Sequence, residues 1–478
     1  QTRVTISSNS RMGWLELRQR LGDTHDRLGA LRLISAATGY VPLPHQLRAH
    51  LAGAGVGETS FKLICSGVGS GKTVWSMHEA LLHAIINPGC TGIVLGPTFD
   101  LCISTLLVEF ENACEKMHAA GYPIVRRYVR SRLEAELVCG GTVAFRSFSK
   151  IENMRGRTIA WATLDESEGS FNPAYIWNVL QGRLRDPRAR CRGLWATTTP
   201  KGLRGLPALF VERRHAARGL APADELRELR RWYTVRASSM SNPHLPSDYI
   251  TNMERSYSRR MYQSEVMGEV LKPQAAVFQF NRDDHVIPYT HNRETPYAIS
   301  CDWGHANPHI LFVAERPDGS LIVFDEMCPD GGTSRDKFRE MIVRRCAQYG
   351  RPPDWAIGDR AVRSEMAWLM RQLPAAQVSR MRSREEQSII TGIQTVNALL
   401  DPVSGEPMLY LSKGMAGRQD RRALIKAMLN YRYKQRADGT IDTMRANKDG
   451  VTDHAADCLR YACVVLAEGA KATYTLDR

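Results

Sequence analysis

The sequence predicts two consecutive α/β units, the first built on a mostly parallel, helix-covered sheet. Three observations carry that expectation. From Phe61 to about Thr199, short apolar runs alternate with helix-like stretches, the pattern of repeated βα connections. A second alternating set begins near Tyr297. Between the two, residues from about 201 to 280 are rich in Arg, Ser and Pro, and the boundary is expected near Lys272–Pro273.

Residues 1–40 read as a helical lead-in, with Leu15, Leu17, Leu21, Leu28, Leu31 and Leu33 set among charges. In the first set, strands are expected at Phe61–Cys65, Thr91–Leu95, Thr142–Phe148, Ile159–Leu164 and Gly193–Ala196, with helices at Thr73–Ile86 and Asp100–Ala119. In the second, Tyr297–Cys301, Ile310–Glu315 and Ser320–Glu326 read as strands. Pro317-Asp318-Gly319 reads as the hairpin turn between the last two. Helix Asp336–Tyr349, strand Trp355–Gly358 and helices Ser364–Leu373, Glu385–Leu400 and Asp420–Tyr431 follow. A last helix, Asp453–Leu466, is expected to be capped by Thr452. The organisation expected is therefore a lead-in at 1–40, a first domain at 41–272 with a lid region at about 201–272, and a second domain at 273–478.

Composition narrows the class. Of the 478 residues, 43% are hydrophobic and 24% charged, enough apolar material for two cores and too much for wholesale disorder. No apolar run is long enough for a membrane-spanning helix, and the polar stretch Gln1–Arg11 lacks a signal core. The eleven cysteines form no Cys-x-x-Cys pair, which argues against a disulfide framework or zinc ribbon and for a reducing compartment. Formal net charge is +14, so a polyanion is the first partner to consider, against the plainer reading of a solvated basic surface.

Ser66-Gly67-Val68-Gly69-Ser70-Gly71-Lys72-Thr73 follows an apolar strand and opens a helix. Small residues let backbone N–H groups converge on phosphate oxygens at a helix N-terminus. Lys72 is expected on the β- and γ-phosphates of ATP and Thr73 on Mg²⁺. The strict pattern has Gly where this chain has Ser66. About 90 residues on, Ile159–Leu164 runs into Asp165 and Glu166. Asp165 is expected to hold Mg²⁺ through water, and Glu166 to polarise the attacking water. A pair of acids here points to a hydrolysing motor rather than a kinase or signalling GTPase. Trp195–Pro200 is a strand ending in a Thr cluster, where a hydroxyl such as that of Thr198 is placed to sense the γ-phosphate. Arg155-Gly156-Arg157 precedes the acidic strand, with Arg155 a candidate charge-stabilising finger or a contact to nucleic acid. Gln46, in Pro44-His45-Gln46, is a candidate for the adenine edge.

The second unit carries its own constellation. Asp302 ends a strand, Asp359 ends another, and Asp453, His454 and Asp457 open the last helix. His454 and Asp457, three apart, share a helical face. Hard oxygens in such a set suit Mg²⁺ or Mn²⁺, and two ions about 4 Å apart support phosphodiester cleavage.

In this order the motifs resemble those of the large terminase subunit of tailed bacteriophages. The ordered set is Gln46, Gly71-Lys72-Thr73, Leu95-Gly96-Pro97-Thr98, Arg155-Gly156-Arg157, Leu164-Asp165-Glu166, Thr198-Thr199-Pro200, Gly268-Glu269-Val270, Asp302-Trp303-Gly304, Asp359 and Asp453-His454…Asp457…Arg460-Tyr461. The resemblance implies a P-loop ATPase domain followed by a ribonuclease H-like nuclease domain, packaging double-stranded DNA into a procapsid and cutting it. It further implies an adenine-contacting Gln46, a coupling role for Thr198 or a neighbour, and a trans-acting arginine finger at Arg155 or Arg157. As partners it implies a small terminase subunit, the portal protein and a homo-oligomeric ring, a pentamer by family, in the cytoplasm of an infected bacterium. No membrane and no place in the mature virion are implied. A helicase or translocase with a non-catalytic second domain would share only the first site, and a nucleic-acid-binding scaffold only the charge.

Overall fold

The computed structural model describes residues 27–53, 58–170, 172–202, 205–218, 220–271, 274–304, 307–329, 332–358, 363–373, 377–380, 388–403, 405–418, 420–436 and 441–473. Of the helical lead-in, residues 27–40 lie among them, with Arg27–Thr38 a helix; the remainder lies outside the described residues. The chain forms two compact units, one of Gln1–Ile250 with Gln263–Lys272 and one of Thr251–Tyr262 with Pro273–Arg478.

The first unit is built on eight strands: β1 Thr59–Ser66, β2 Thr91–Gly96, β3 Val125–Val129, β4 Glu134–Leu137, β5 Thr142–Ser147, β6 Trp161–Leu164, β7 Arg192–Thr198 and β8 Trp232–Ala237. Their order is β3-β4-β5-β2-β6-β7-β1-β8. All pairs from β5 to β8 are parallel, while β3 and β4 pair antiparallel at one end. The five strands expected are present. The three unforeseen ones lack the continuous apolar run that marks a central strand: β3 carries two exposed arginines, β4 two half-buried glutamates, and β8 an exposed arginine with only Trp232 and Val235 buried. The expected helix Asp100–Ala119 is a short turn, a π-helical stretch Cys102–Leu107 and the helix Val108–Ala119.

Alternation along the central strands fills two cores. In β1, Ile64 joins the core that contains Trp75, Phe110, Trp161 and Trp195, while Phe61, Leu63 and Cys65 join the one containing Trp177, Phe210 and Trp232. Beneath the first lies a buried carboxylate, Glu79, on the helix Lys72–Ile86. It pairs with Arg27, with Lys62 Nζ at 2.9 Å and with His50 Nδ1 at 2.7 Å. Burial alone would raise its pKa, but the two cations hold it well below the usual carboxylate range. Lys62 also donates to the Ala49 carbonyl at 2.7 Å. The helix Pro44–Leu51 is thus tied to β1 and to the helix Lys72–Ile86.

The second unit's main sheet is formed by β9 Val286–Ile287, β10 Tyr297–Asp302, β11 His309–Glu315, β12 Leu321–Met327, β13 Trp355–Gly358, β14 Gln377–Arg380 and β15 Leu409–Ser412, in the order β14-β13-β10-β11-β12-β15-β9. β10, β11 and β12 form an antiparallel meander. β13 is parallel to β10 and β15 to β12. The turn between β11 and β12 lies where Pro317-Asp318-Gly319 predicts it, with Gly319 at φ 79°. The helix Asp453–Thr473 packs on β10 and on the helix Ile389–Leu400. Alternate residues of β10 face opposite ways: Tyr297, Ile299 and Cys301 enter one core, while Ser300 donates to the Cys458 carbonyl at 2.7 Å on the helix side. The Thr452 hydroxyl, expected as the helix cap, bonds instead to the Asp449 carboxylate at 3.0 Å.

Candidate active sites

The loop Ser66–Gly71 joins β1 to the helix Lys72–Ile86, at the carboxyl end of the parallel strands. Gly69 and Gly71 stand at φ 73° and 84°, the left-handed region open to glycine. A Cβ on Gly67 would lie 2.3 Å from the Val266 carbonyl oxygen and 2.4 Å from Ser239 Oγ. Within the loop, the Ser66 and Ser70 hydroxyls are 2.7 Å apart. The serine in the first position therefore makes a contact glycine could not. Val68 is exposed at the loop's tip.

Lys72 is buried, with Nζ 3.0 Å from Gly67 O, 2.9 Å from Thr199 Oγ1 and 3.6 Å from Glu166 Oε1. Asp165 follows β6 and accepts from Thr73 Oγ1 at 3.0 Å and from Thr197 Oγ1 at 2.5 Å. Burial pushes the Asp165 carboxyl up to about 6. Glu166 sits at φ 48°, a region a non-glycine residue rarely occupies. Its N–H lies 3.3 Å from Thr197 Oγ1, and its Oε2 accepts from the Thr199 N–H at 3.4 Å. Lys72, Thr73, Asp165 and Glu166, read from the sequence as one site, are thus brought together.

Three expectations need refinement. Thr198 is buried and its hydroxyl bonds to the Thr199 carbonyl at 3.1 Å. The hydroxyls that reach the site belong to Thr197 and Thr199, because period-two alternation turns the middle one away. Gln46 is buried, its amide donating to Gly71 O at 2.9 Å and accepting from the Leu43 N–H at 2.8 Å. Its first contact is therefore with the loop backbone. Arg155 is exposed and held by Glu152 at 2.6 Å and the Tyr175 hydroxyl at 2.7 Å, with no bond to the loop among the described residues. The sequence reading missed Ser239 and Asn242, which donate to Val68 O and Gly69 O, each at 2.6 Å. A lone Ser and Asn about 170 residues away in the chain give no local signal.

In the second unit, Asp302 at the end of β10 accepts from the Gly304 N–H at 3.0 Å and from His454 Nδ1 at 3.0 Å. That bond holds His454 above its ordinary pKa. A Cβ on Gly304 would lie 2.5 Å from the His454 ring, so glycine is needed for the close approach. Asp453 is buried, its Oδ1 has no partner, and burial raises its pKa. Asp457 departs from expectation. Its carboxylate is taken by buried Arg460 at 2.5 Å and by Lys448 at 3.1 Å. One helical turn past His454, it meets Arg460 rather than Asp302. Asp359 lies outside the described residues; β13, which precedes it, is the parallel neighbour of β10, with Gly358 opposite Cys301. Among the described residues, no three His, Cys, Asp or Glu side chains cluster closely enough to hold a metal.

Comparison with known proteins agrees with this arrangement. Residues 63–282 match the family model described as terminase large subunit, T4likevirus-type, N-terminal. The large terminase subunits of Thermus virus P23-45 and Thermus phage G20c are each 22% identical over 458 residues, covering 87% of this chain and 86% of the relative. The fold is similar to that of a crystal structure of the large terminase from a thermophilic bacteriophage, with a TM-score of 0.51 at 15% identity over 90% of this chain and 100% of that one. Motifs, fold and both curated relatives agree: the chain is similar to the large terminase subunits of bacteriophages.

Proposed function

We propose that this chain acts as a large terminase subunit, driving double-stranded DNA into a procapsid by ATP hydrolysis in its first unit and cutting concatemeric DNA with divalent metal in its second. The observation that carries the first half is the meeting of Lys72, Thr73, Asp165 and Glu166 around the loop Ser66–Gly71. Two hard-oxygen donors, Thr73 Oγ1 and a buried Asp165 carboxylate, fit Mg²⁺. The ion supplies charge neutralisation at the β- and γ-phosphates. Lys72 binds the same phosphates, and Glu166 orients water for in-line attack. Thr197 and Thr199, bridging Asp165, Glu166 and Lys72, are the hydroxyls through which a change at the γ-phosphate reaches β7. The exposed guanidinium of Arg155 supports a finger offered to a neighbouring subunit in a ring, with the portal and a small terminase subunit as further partners in the host cytoplasm. No described helix is long and apolar enough to cross a membrane.

For the second unit, Asp302 and the unpartnered Asp453 are the described donors that fit a hard cation, with Asp359 the third by sequence. The metal supplies water activation and leaving-group stabilisation. His454 orients the Asp302 carboxylate. The neutralisation of Asp457 by Arg460 and Lys448 favours the competing reading, a translocase whose second unit does not cut. Incubating the intact protein with plasmid DNA and Mn²⁺ or Mg²⁺ decides between them: metal-dependent linearisation is expected, and its absence leaves the translocase.

The motor reading is tested by turnover and nucleotide affinity together. Glu166→Gln should abolish ATP turnover while ADP affinity stays within about threefold, because the carboxylate acts on water in the transition state. Lys72→Ala should weaken binding as well. Near wild-type turnover in Glu166→Gln would remove the assignment.

A further inference from the structure

A phosphate cradle works when amide hydrogens face the anion and carbonyls face away. In a trans peptide the C=O of one residue and the N–H of the next point in opposite directions. No peptide bond in the described chain is cis. Holding a carbonyl on one side therefore aims the following N–H to the other.

Each carbonyl of this loop meets a side-chain donor. Lys72 Nζ lies 3.3 Å from Ser66 O and 3.0 Å from Gly67 O. Ser239 Oγ donates to Val68 O and Asn242 Nδ2 to Gly69 O, each at 2.6 Å. A His45 ring nitrogen lies 3.0 Å from Ser70 O, and since a carbonyl only accepts, that nitrogen carries the proton. Gln46 Nε2 donates to Gly71 O at 2.9 Å. The amides aimed by the last four bonds are those of Gly69, Ser70, Gly71 and Lys72. Ser70 N–H makes a long 3.3 Å bond to Gly67 O, and the N–H groups of Gly69 and Gly71 have no protein acceptor among the described residues.

We propose that His45, Ser239 and Asn242 are positioning residues of the nucleotide site, holding the loop's carbonyls outward so that its amides converge on phosphate. The proposal rests on the reading that the loop binds nucleotide. None of the three needs to touch the ligand. Their supports are separate. His45 lies on the helix Pro44–Leu51, anchored through His50 to buried Glu79. Ser239 and Asn242 lie on the turn after β8, where the Ser239 N–H is itself held by the Val266 carbonyl at 2.8 Å. Leu245 and Tyr249 follow in the same segment. A Cβ on Gly69 would lie 3.0 Å from Leu245 Cδ2 and 3.5 Å from Tyr249 Oη, so this segment covers the loop. The turn after β8 is thereby part of the phosphate site, and a displacement of that turn would change how well the loop is organised.

The test uses the intact chain with ADP and ATP as probes. Asn242→Leu and His45→Leu remove a donor without adding charge, whereas His45→Gln keeps one. Loss of preorganisation weakens ground-state and transition-state phosphate binding together. The donor-less variants should therefore lose about tenfold in ADP affinity and gain about tenfold in KM for ATP, with kcat within about threefold. Their melting temperature without nucleotide should stay within about 3 °C of wild type, and His45→Gln should recover most of the lost affinity. Unchanged ADP affinity in both Leu variants overturns the proposal, as does a loss that His45→Gln fails to restore. Wild-type protein that binds no ADP would instead overturn the nucleotide reading itself.

Discussion

Burial and ligation pull Asp165 in opposite directions. Its carboxyl is pushed up to about 6 by desolvation, although Thr73 and Thr197 both donate to it. The folded chain then holds this proton more tightly than the unfolded chain, whose carboxyl titrates at its ordinary value near 4. Ionisation of Asp165 therefore costs stability. The cost builds from about pH 4 and is complete above about pH 6. Asp165→Asn should raise the melting temperature of the nucleotide-free protein at pH 7.5 by up to about 5 °C, corresponding to about 2 kcal/mol, and by less at pH 5. Calorimetric melting at both pH values checks this; a variant that melts lower at pH 7.5 than wild type contradicts it. The same substitution should abolish ATP turnover. Glu166, one residue on, adopts an unfavourable φ of 48° to reach a position between Lys72 and Thr199. Both acids are legible in the sequence as the end of an apolar strand. Which threonines serve them is not, because Thr197, Thr198 and Thr199 are chemically identical and only the pleat of β7 tells them apart.

Strands, helices and loops differ in how openly the chain declares them. The central parallel strands are apolar on both faces and stand out as runs, whereas β3, β4 and β8 carry charge and do not. The phosphate loop is legible from its glycines, yet the reason for Gly67 is tertiary. Its missing Cβ leaves room for the Val266 carbonyl and Ser239, from segments about 170 to 200 residues away in the chain. Gly67→Ala should lower stability by about 1–3 kcal/mol, since a backbone carbonyl cannot step aside as a flexible side chain can. ADP affinity should fall at least about tenfold with it, because the displaced Ser239 holds Val68 O. Denaturant melts and ADP titrations of the variant measure both, and wild-type values in either contradict the packing argument. On the last helix the spacing of His454 and Asp457 suggested one shared site. The helix instead directs His454 to Asp302 and Asp457 to Arg460, as a three-residue step moves the second side chain about one turn along the axis.

Each of the two units has its own sheet and cores, so their chemistries should separate by mutation. Asp302→Asn should abolish metal-dependent cleavage of plasmid DNA while ATP turnover stays within about twofold of wild type. Joint loss of both activities with an unchanged melting curve would contradict the assignment of Asp302 to cutting alone. The net charge of +14 belongs to the whole chain. Neutralising phosphates releases counterions, so if about six or more phosphates are engaged, DNA affinity should fall about 10³-fold or more between 50 and 200 mM salt. Fluorescence anisotropy with duplexes of unrelated sequence measures this; a flat salt response would remove DNA from the proposed role.

The sequence by itself determined the α/β class, the phosphate loop, the paired acids after β6, the carboxylate ending β10 and the likeness to large terminases, because each is written in local pattern: apolar periodicity, glycine spacing, or acids at a strand end. Tertiary structure alone decided which groups complete the sites. It set Ser239, Asn242 and His45 against the loop's carbonyls, chose Thr197 and Thr199 over Thr198, buried Gln46 against Gly71, and gave Asp457 to Arg460. Those choices depend on the direction of single hydrogen-bonding groups between segments distant in the chain. Local pattern specifies an element and its buried face, but not the partner that folding delivers to one carbonyl or carboxylate.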